Sequence, residues 1–307
     1  MKKVLVTGAA GAVGINVIKY LLEDECEITA LDLRTGKNIR KLSQFKKQIN
    51  IIYGDVNDRF LMESLIKGHD YVIHLAGVLT PFANLKRDLC RIVDYEGTCN
   101  IVNSILAFNP NCFLIYASTT SLYEDKKNVT IESPIEIDEN DYYSLYKNAA
   151  EEEIKKSLKN YTIFRLPIVL CNPNDDAPIY TANRSKFGEF ISNVVAGEAF
   201  ALAIGKKTKL NKKTFNLSGG ENCRSSFKKY LVNVLKYYGL SVRYLITLML
   251  VDKNYRIHYY NDSKEIEEIL GYQSESLDEY YKRLQEYGKK RIIRRLLAKP
   301  FIFFLKR

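Results

Sequence analysis

Gly8, Gly11 and Gly14 stand three residues apart, directly after the apolar triplet Val4, Leu5 and Val6. That spacing restricts what the first twenty residues can become. A strand ending at Gly8 can turn tightly, bring its backbone close to a ligand at Gly11, and start a closely packed helix at Gly14. The N-terminus of such a helix carries about half a positive charge, which suits a phosphate. The same opening, "MKKVLVTGAAGAVGINVIKYLL", also has the lysines, apolar run and small residues of a secretory leader. The two readings are incompatible, and the rest of the chain decides between them.

Apolar runs alternate with helical periodicities from there on. Strands are expected at 3–8, 27–33, 49–55, 71–77, 112–118 and 161–167, and helices at 12–23, 85–108 and 142–159. This rhythm predicts an α/β fold, a doubly wound parallel Rossmann sheet with a smaller C-terminal α/β substrate lobe. Asp32 ends the second strand 18 residues after Gly14, where a carboxylate accepts the hydroxyls of an adenosine ribose. Strand, glycine turn, helix and acid together form one dinucleotide-binding device. The leader is therefore rejected, because its removal would take away the first strand. Gly8, Gly11, Ala12, Val13, Gly14 and Asp32 become cofactor candidates. Past Pro167 the rhythm loosens. The layout expected is a dinucleotide-binding domain over 1–166 with 189–214 returning to it, a substrate lobe over 167–288, and a basic tail over 289–307.

The net charge of +10 invites a nucleic-acid reading, but its distribution opposes one. Residues 289–307 hold eight Lys/Arg and no acid, which leaves +2 for the other 288 residues. No aromatic–basic stripe is present, so no nucleic-acid partner is expected. Six scattered cysteines without a C-x-x-C suit reduced thiols. Three histidines, none at metal-ligand spacing, point to no metal site.

The motifs "TGAAGAVG" (7–14), "GDVND" (54–58), "HLAG" (74–77), "ASTTSLY" (117–123), "YSLYK" (143–147) and "FRLP" (164–167) resemble the extended short-chain dehydrogenase/reductases. These are the nucleotide-sugar epimerases, dehydratases and reductases, and the resemblance runs from Lys3 to about Tyr287. It implies that Asp55 and Val56 hold the adenine, that Leu75, Ala76 and Gly77 line the cofactor, and that backbone around Pro167 meets a nicotinamide. It implies Thr119, Tyr143 and Lys147 as the catalytic set, with Lys147 also reaching the nicotinamide ribose. The family usually carries an asparagine where this chain has Asp94. The segment from Pro167 to Phe190 is shorter than in typical nucleotide-sugar enzymes and leaves Arg184 and Lys186 as its basic candidates. Thr120 and Arg184 are the substrate candidates, and His74 is expected to be a structural strand-end histidine.

Tyr143 and Lys147, four apart, share one helix face. A tyrosine of pKa about 10 needs ~4 kcal/mol of phenolate stabilisation to drop by ~3 units. One ammonium about 4 Å away supplies ~4 kcal/mol at an effective dielectric near 20. Lys147, helped by an oxidised nicotinamide cation, is thus expected to lower the Tyr143 pKa toward neutrality. The reaction implied is hydride transfer at a sugar carbon, with Tyr143 moving the hydroxyl proton. The 4,6-dehydratases of the family follow their threonine with an Asp-Glu pair. Here Thr120 and Ser121 follow, so an epimerase or 4-keto-sugar reductase is favoured. A non-sugar alcohol or ketone oxidoreductase and a non-catalytic dinucleotide-binding sensor or scaffold are the alternatives.

Asp32 should favour NAD over NADP by repelling a 2′-phosphate, a preference that Arg34 would soften. The resemblance implies a homodimer through the helices after the fourth and fifth strands, with Ile92, Ile101, Ile105 and Leu106 as candidate contacts, although a face buried against the sheet explains these residues equally well. In the tail, Ile292, Ile293, Leu296 and Leu297 fall on one helix face and Arg291, Arg294 and Arg295 on the other. The expectation for a cytoplasmic protein is peripheral contact of this tail with an anionic membrane at its cytoplasmic face, the alternative being a C-terminal helix docked on the protein's own core.

Overall fold

The computed structural model describes residues 1–80, 82–171, 186–237 and 256–289, and only the backbone of 234–237 and 287–289. Its centre is a seven-stranded sheet. The elements are β1 Lys3–Thr7, α1 Gly14–Glu23, β2 Glu27–Asp32, α2 Gly36–Leu42, β3 Asn50–Tyr53, α3 Arg59–Ile66 and β4 Tyr71–His74. There follow α4 Phe82–Leu85, α5 Arg87–Cys90, α6 Gly97–Phe108, β5 Phe113–Thr119, β6 Asn128–Val129, α7 Tyr142–Ser157 and β7 Tyr161–Leu166. A last strand, Lys213–Asn216, closes the sheet beside β7. The order across the sheet is Lys213–Asn216, β7, β5, β4, β1, β2, β3, and every pairing is parallel.

Both faces of this sheet are covered, so its inner strands read as continuous apolar runs rather than alternating ones. Val4, Leu5 and Val6 are fully buried, as are Phe113 to Tyr116. Leu5 faces a core shared with α3, α6 and α7, while Val4 and Val6 face one shared with α1 and the helix Asn193–Leu202. Chain order reverses between β1 and β4. At such a switch point the loops leave in opposite directions, and a crevice opens at the carboxyl ends of the strands.

The six strands and the first and last helices expected from periodicity are all present, each shorter by a residue or a few except β5, which is shifted by one residue. The helix expected over 85–108 is not continuous. It breaks into α4, α5, a π-helical turn Arg91–Glu96, and α6. Gly97 explains the junction: a Cβ there would lie 2.6 Å from Val56 Cγ2, so the chain must cross β3's following loop closely. The wider turn carries Asp94 into the interior, where it is fully buried. Ile101 and Ile105, candidate dimer contacts, are spent on the chain's own core, whereas Leu106 is 45% exposed. All six cysteines are free thiols.

His74 ends β4 fully buried, and its ring is paired on both sides. Nδ1 lies 2.7 Å from Thr7 Oγ1 and Nε2 3.0 Å from Thr98 Oγ1. Thr98 already donates its hydroxyl hydrogen to Asp94 O (2.7 Å), so Nε2–H donates and Nδ1 accepts, which is the neutral ring. Burial, with the Lys147 charge, lowers the His74 pKa to about 3. Because the unfolded chain takes up a proton near pH 6.5 and the native ring does not, stability should fall as pH drops below 6.5. Between pH 7.5 and 5.5 wild type should lose ~1.4 kcal/mol more than His74→Gln in urea unfolding. Equal losses in both proteins would remove His74 as the cause.

Candidate active site

The β1–α1 turn sets the floor of the crevice. Gly8 has φ 67°, and a Cβ on it would fall 2.7 Å from Ala76 N, so only glycine lets the turn pass under the end of β4. Gly11 N–H donates to Gly8 O at 3.0 Å and closes the turn. A cleft of about 1030 Å³ opens above it. Its walls include Gly8, Gly11, Ala12, Val13, Gly14, Asp32, Asp55, Val56, Leu75, Ala76, Gly77, Thr119, Thr120, Tyr143, Lys147 and Pro167, but not Arg34 or Lys186. Arg184 lies outside the described residues.

The dinucleotide end is organised by Asp32. Its Oδ2 accepts from Ala10 N–H (2.8 Å), and its Oδ1 accepts from Leu33 N–H (2.8 Å) and Asn38 Nδ2 (2.9 Å). Burial pushes this carboxyl up, opposed by the Ala10 and Leu33 N–H groups and by Lys41. The cation beside it is Lys41, which donates to Ala10 O at 3.0 Å and lines the cleft. The Arg34 expected there is exposed and is not among the lining residues. Lys41 and Asn38 come from α2, one turn past the acid, and could have been found by asking what a short helix after β2 turns back toward Asp32.

A glycine turn that a Cβ would fill, an α1 N-terminus lining the cleft and the Asp32 carboxylate at the far end fit a dinucleotide. Gly8, Gly11 and Gly14 would take the diphosphate, Asp32 the adenosine ribose and Lys147 the nicotinamide ribose.

The other end gathers on α7. Asp141 caps this helix, accepting Ser144 N–H (3.2 Å) and the Ser144 hydroxyl (2.6 Å). The Tyr143 N–H is tied to Asn84 Oδ1 at 3.2 Å. Lys147 is 4% exposed; its Nζ donates to Ala117 O (3.1 Å), lies 3.2 Å from Asp94 Oδ1, and sits 4.9 Å over the Tyr116 ring. Thr119 Oγ1 shares a hydrogen bond with Ser121 Oγ (2.9 Å), which meets Ser144 Oγ at 2.7 Å, so a chain of hydroxyls joins Thr119 to Asp141. Thr120 borders the cleft, but its hydroxyl accepts from Tyr260 O–H at 2.8 Å. Lys186 is engaged by both oxygens of Asp125, at 2.6 and 2.7 Å.

The chain's own groups together do not lower the Tyr143 pKa. Burial raises the phenol well above its usual pKa; Lys147 lowers it, and Asp94 works against Lys147. The sequence argument set Lys147, with a nicotinamide cation, against no burial and no opposing acid. The structure buries it beside a carboxylate. Burial disfavours that ammonium, but Tyr116, Asp94 and Tyr143 more than offset the cost, and it stays charged.

The chain matches the NAD dependent epimerase/dehydratase family over residues 4–210. The protein belongs to that family. Among its relatives, the 3 beta-hydroxysteroid dehydrogenase type 7 of Mus musculus is 28% identical over 118 residues, 38% of this chain and 32% of that protein. CDP-paratose 2-epimerase of Salmonella typhi is 27% identical over 133 residues, 40% of this chain and 38% of that protein. The matched stretches thus span about a third of each relative's length. The fold is that of UDP-glucose 4-epimerase from Thermotoga maritima, with a TM-score of 0.77 at 18% identity, covering 94% of this chain and 99% of that one. With the Asp32 carboxylate at the adenosine end, the chain should bind NAD more tightly than NADP in calorimetric titration. Replacing the Asp32 charge by Asp32→Asn should raise the NADP-to-NAD affinity ratio roughly tenfold, ~1.4 kcal/mol, with Lys41 left to meet the 2′-phosphate. An unchanged ratio would show that Asp32 does not set the preference.

Proposed function

We propose that the protein is a nucleotide-sugar epimerase or 4-keto-sugar reductase of glycan biosynthesis that uses NAD. The observation that carries this reading is the convergence of Thr119, Tyr143 and Lys147 on the cleft above the glycine turn. NAD, when bound, would supply the hydride exchange at the substrate carbon. The chain's own part is at the oxygen: Thr119 holds it, Tyr143 moves its proton, and Lys147 fixes the site's charge. Elimination asks for an acid beside the threonine, and Asp141, the carboxylate linked to it, is occupied as the cap of α7. In this reading two copies pair through α6 and α7, whose Leu106 and Leu145 are 45% and 41% exposed in the single chain. The tail 289–307, whose residues beyond 289 lie outside those described, holds the enzyme at an anionic cytoplasmic membrane face.

A second reading, an oxidoreductase on an apolar alcohol or ketone, is favoured by one feature. Val78, Leu79, Leu89 and Val93 line the cleft, with Leu79 and Leu89 49% and 42% exposed. On the lobe side Arg256 is the lining cation among the described residues, and its guanidinium already donates to Tyr123 O at 2.8 Å.

Purified protein should convert a member of a panel of nucleotide sugars, followed by product chromatography and by the absorbance of reduced nicotinamide. Tyr143→Phe should keep cofactor affinity and lose at least ~10²-fold in turnover, the usual loss for a positioned acid/base. Turnover confined to apolar ring alcohols would select the second reading. Full activity of Tyr143→Phe would exclude both.

A further inference from the structure

Lys147 does not face Tyr143 as a lone cation. Its ammonium is 3.2 Å from Asp94 Oδ1, and that oxygen meets no hydrogen-bond donor besides it among the described residues. The second carboxylate oxygen accepts from Val78 N–H at 2.9 Å and faces Cys90 Sγ at 3.5 Å. Asp94 is completely buried and Lys147 nearly so. Gly77 leaves the space that the pair fills: a Cβ there would come 2.6 Å from Asp94 Oδ1 and 3.3 Å from Lys147 Nζ.

A phenolate beside a lone ammonium feels a full charge. Beside an ammonium with a carboxylate in contact it feels a dipole, whose field falls off faster with distance. The other groups around Tyr143 do not restore the lost charge. Its own helix brings Asp141, a second acid; β5 brings Tyr116; the α5 end brings Cys90. Arg87 of α5 stacks on Tyr142, and Arg165 of β7 is consumed by Glu151. The neutral His74 adds no charge.

We propose that Asp94 is the counter-charge of Lys147 and raises the pH at which Tyr143 gives up its proton. Asp94 is a positioning residue, acting on the phenol through the ammonium. The inference rests on the reading of Tyr143 as the proton-transfer group. In the reducing direction the phenol proton would pass to the substrate oxygen while a bound reduced nicotinamide, oxidised in the step, would supply hydride to the carbon, and the phenolate would regain a proton from water. In the oxidising direction the phenolate would take the alcohol proton.

The test is tyrosinate absorbance near 295 nm between pH 6 and 10 on the full chain with NAD, each protein being compared with the same protein carrying Tyr143→Phe. Asp94→Asn keeps the size and the Val78 contact but removes the charge. Its Tyr143-dependent midpoint should lie at least one pH unit below that of wild type, about tenfold in proton affinity. Where Asn disturbs the near-ultraviolet dichroism of the fold, Asp94→Ser removes the charge with a smaller side chain. Equal midpoints, or no Tyr143-dependent step below pH 10 in the neutral variants, would overturn the proposal. A shifted midpoint without turnover of any nucleotide sugar would leave Asp94 in its role and remove the substrate reading instead. Turnover with an unshifted midpoint would do the reverse.

Discussion

The position of α7 hangs on a buried pair of charges, Glu151 and Arg165. Arg165 comes from β7 and grips both oxygens of Glu151, at 2.9 and 2.7 Å, while Ser118 of β5 donates to the same carboxylate at 2.5 Å. Burial raises the Glu151 carboxyl, but the Arg165 and Ser118 bonds outweigh it and the group stays ionised. A buried charge pair is a weak source of stability, since desolvation cancels much of the attraction. Its bidentate geometry does something else here: it fixes α7 in rotation and in height against two strands. Lys147 lies one turn before Glu151 and Tyr143 two turns before, so both inherit that register. Slippage of α7 by one residue would swing Tyr143 about 100° away from the cleft.

The same helix therefore has two charge centres four residues apart with opposite consequences. Glu151 and Arg165 do not themselves line the cleft, and their role is placement. Asp94 and Lys147 form a pair at the cleft wall, where any change in its balance is felt by a phenol. The π-turn Arg91–Glu96 is what brings Asp94 there. In a regular helix the hydrogen-bond ladder would hold that side chain at a different angle, and the lysine would be left to the Ala117 carbonyl alone.

Much of the cofactor half was legible in the sequence because its determinants are local. A strand, three glycines at fixed spacing and an acid at the end of the next strand all lie between Lys3 and Asp32, and each imposes a backbone requirement readable in isolation. The Thr119, Tyr143 and Lys147 set was legible through motifs. Its electrostatics were not, because they depend on a residue 53 positions before Lys147 and on a helix that breaks where periodicity runs on. Gly97, whose contact with Val56 sets that break, is an ordinary glycine in the sequence. Arg34 was a reasonable guess for the cation by Asp32 from adjacency alone. Lys41 holds the place because α2 folds back over the Ala10 carbonyl.

The two halves of the cleft differ in how tightly they are determined. The cofactor half is set by sheet topology: the switch point between β1 and β4 must open a crevice, and glycine contacts such as Gly8 against Ala76 leave no room for variation. The substrate half is built from the 78–89 stretch, the loop around Asp125 to Asp141, and the lobe that contributes Arg256. Those pieces meet through local contacts: Tyr260 on Thr120, Arg256 on the carbonyls of Tyr123 and Glu136, and the short pairing of β6 with Tyr259–Tyr260. Exchanging any of them would change the shape and charge offered to a substrate without disturbing the sheet. The chemistry at Tyr143 thus belongs to the rigid half and the choice of molecule to the adaptable one. Asp94 sits on the boundary: it is held by the backbone of Val78, the residue at which the apolar wall of the substrate half begins.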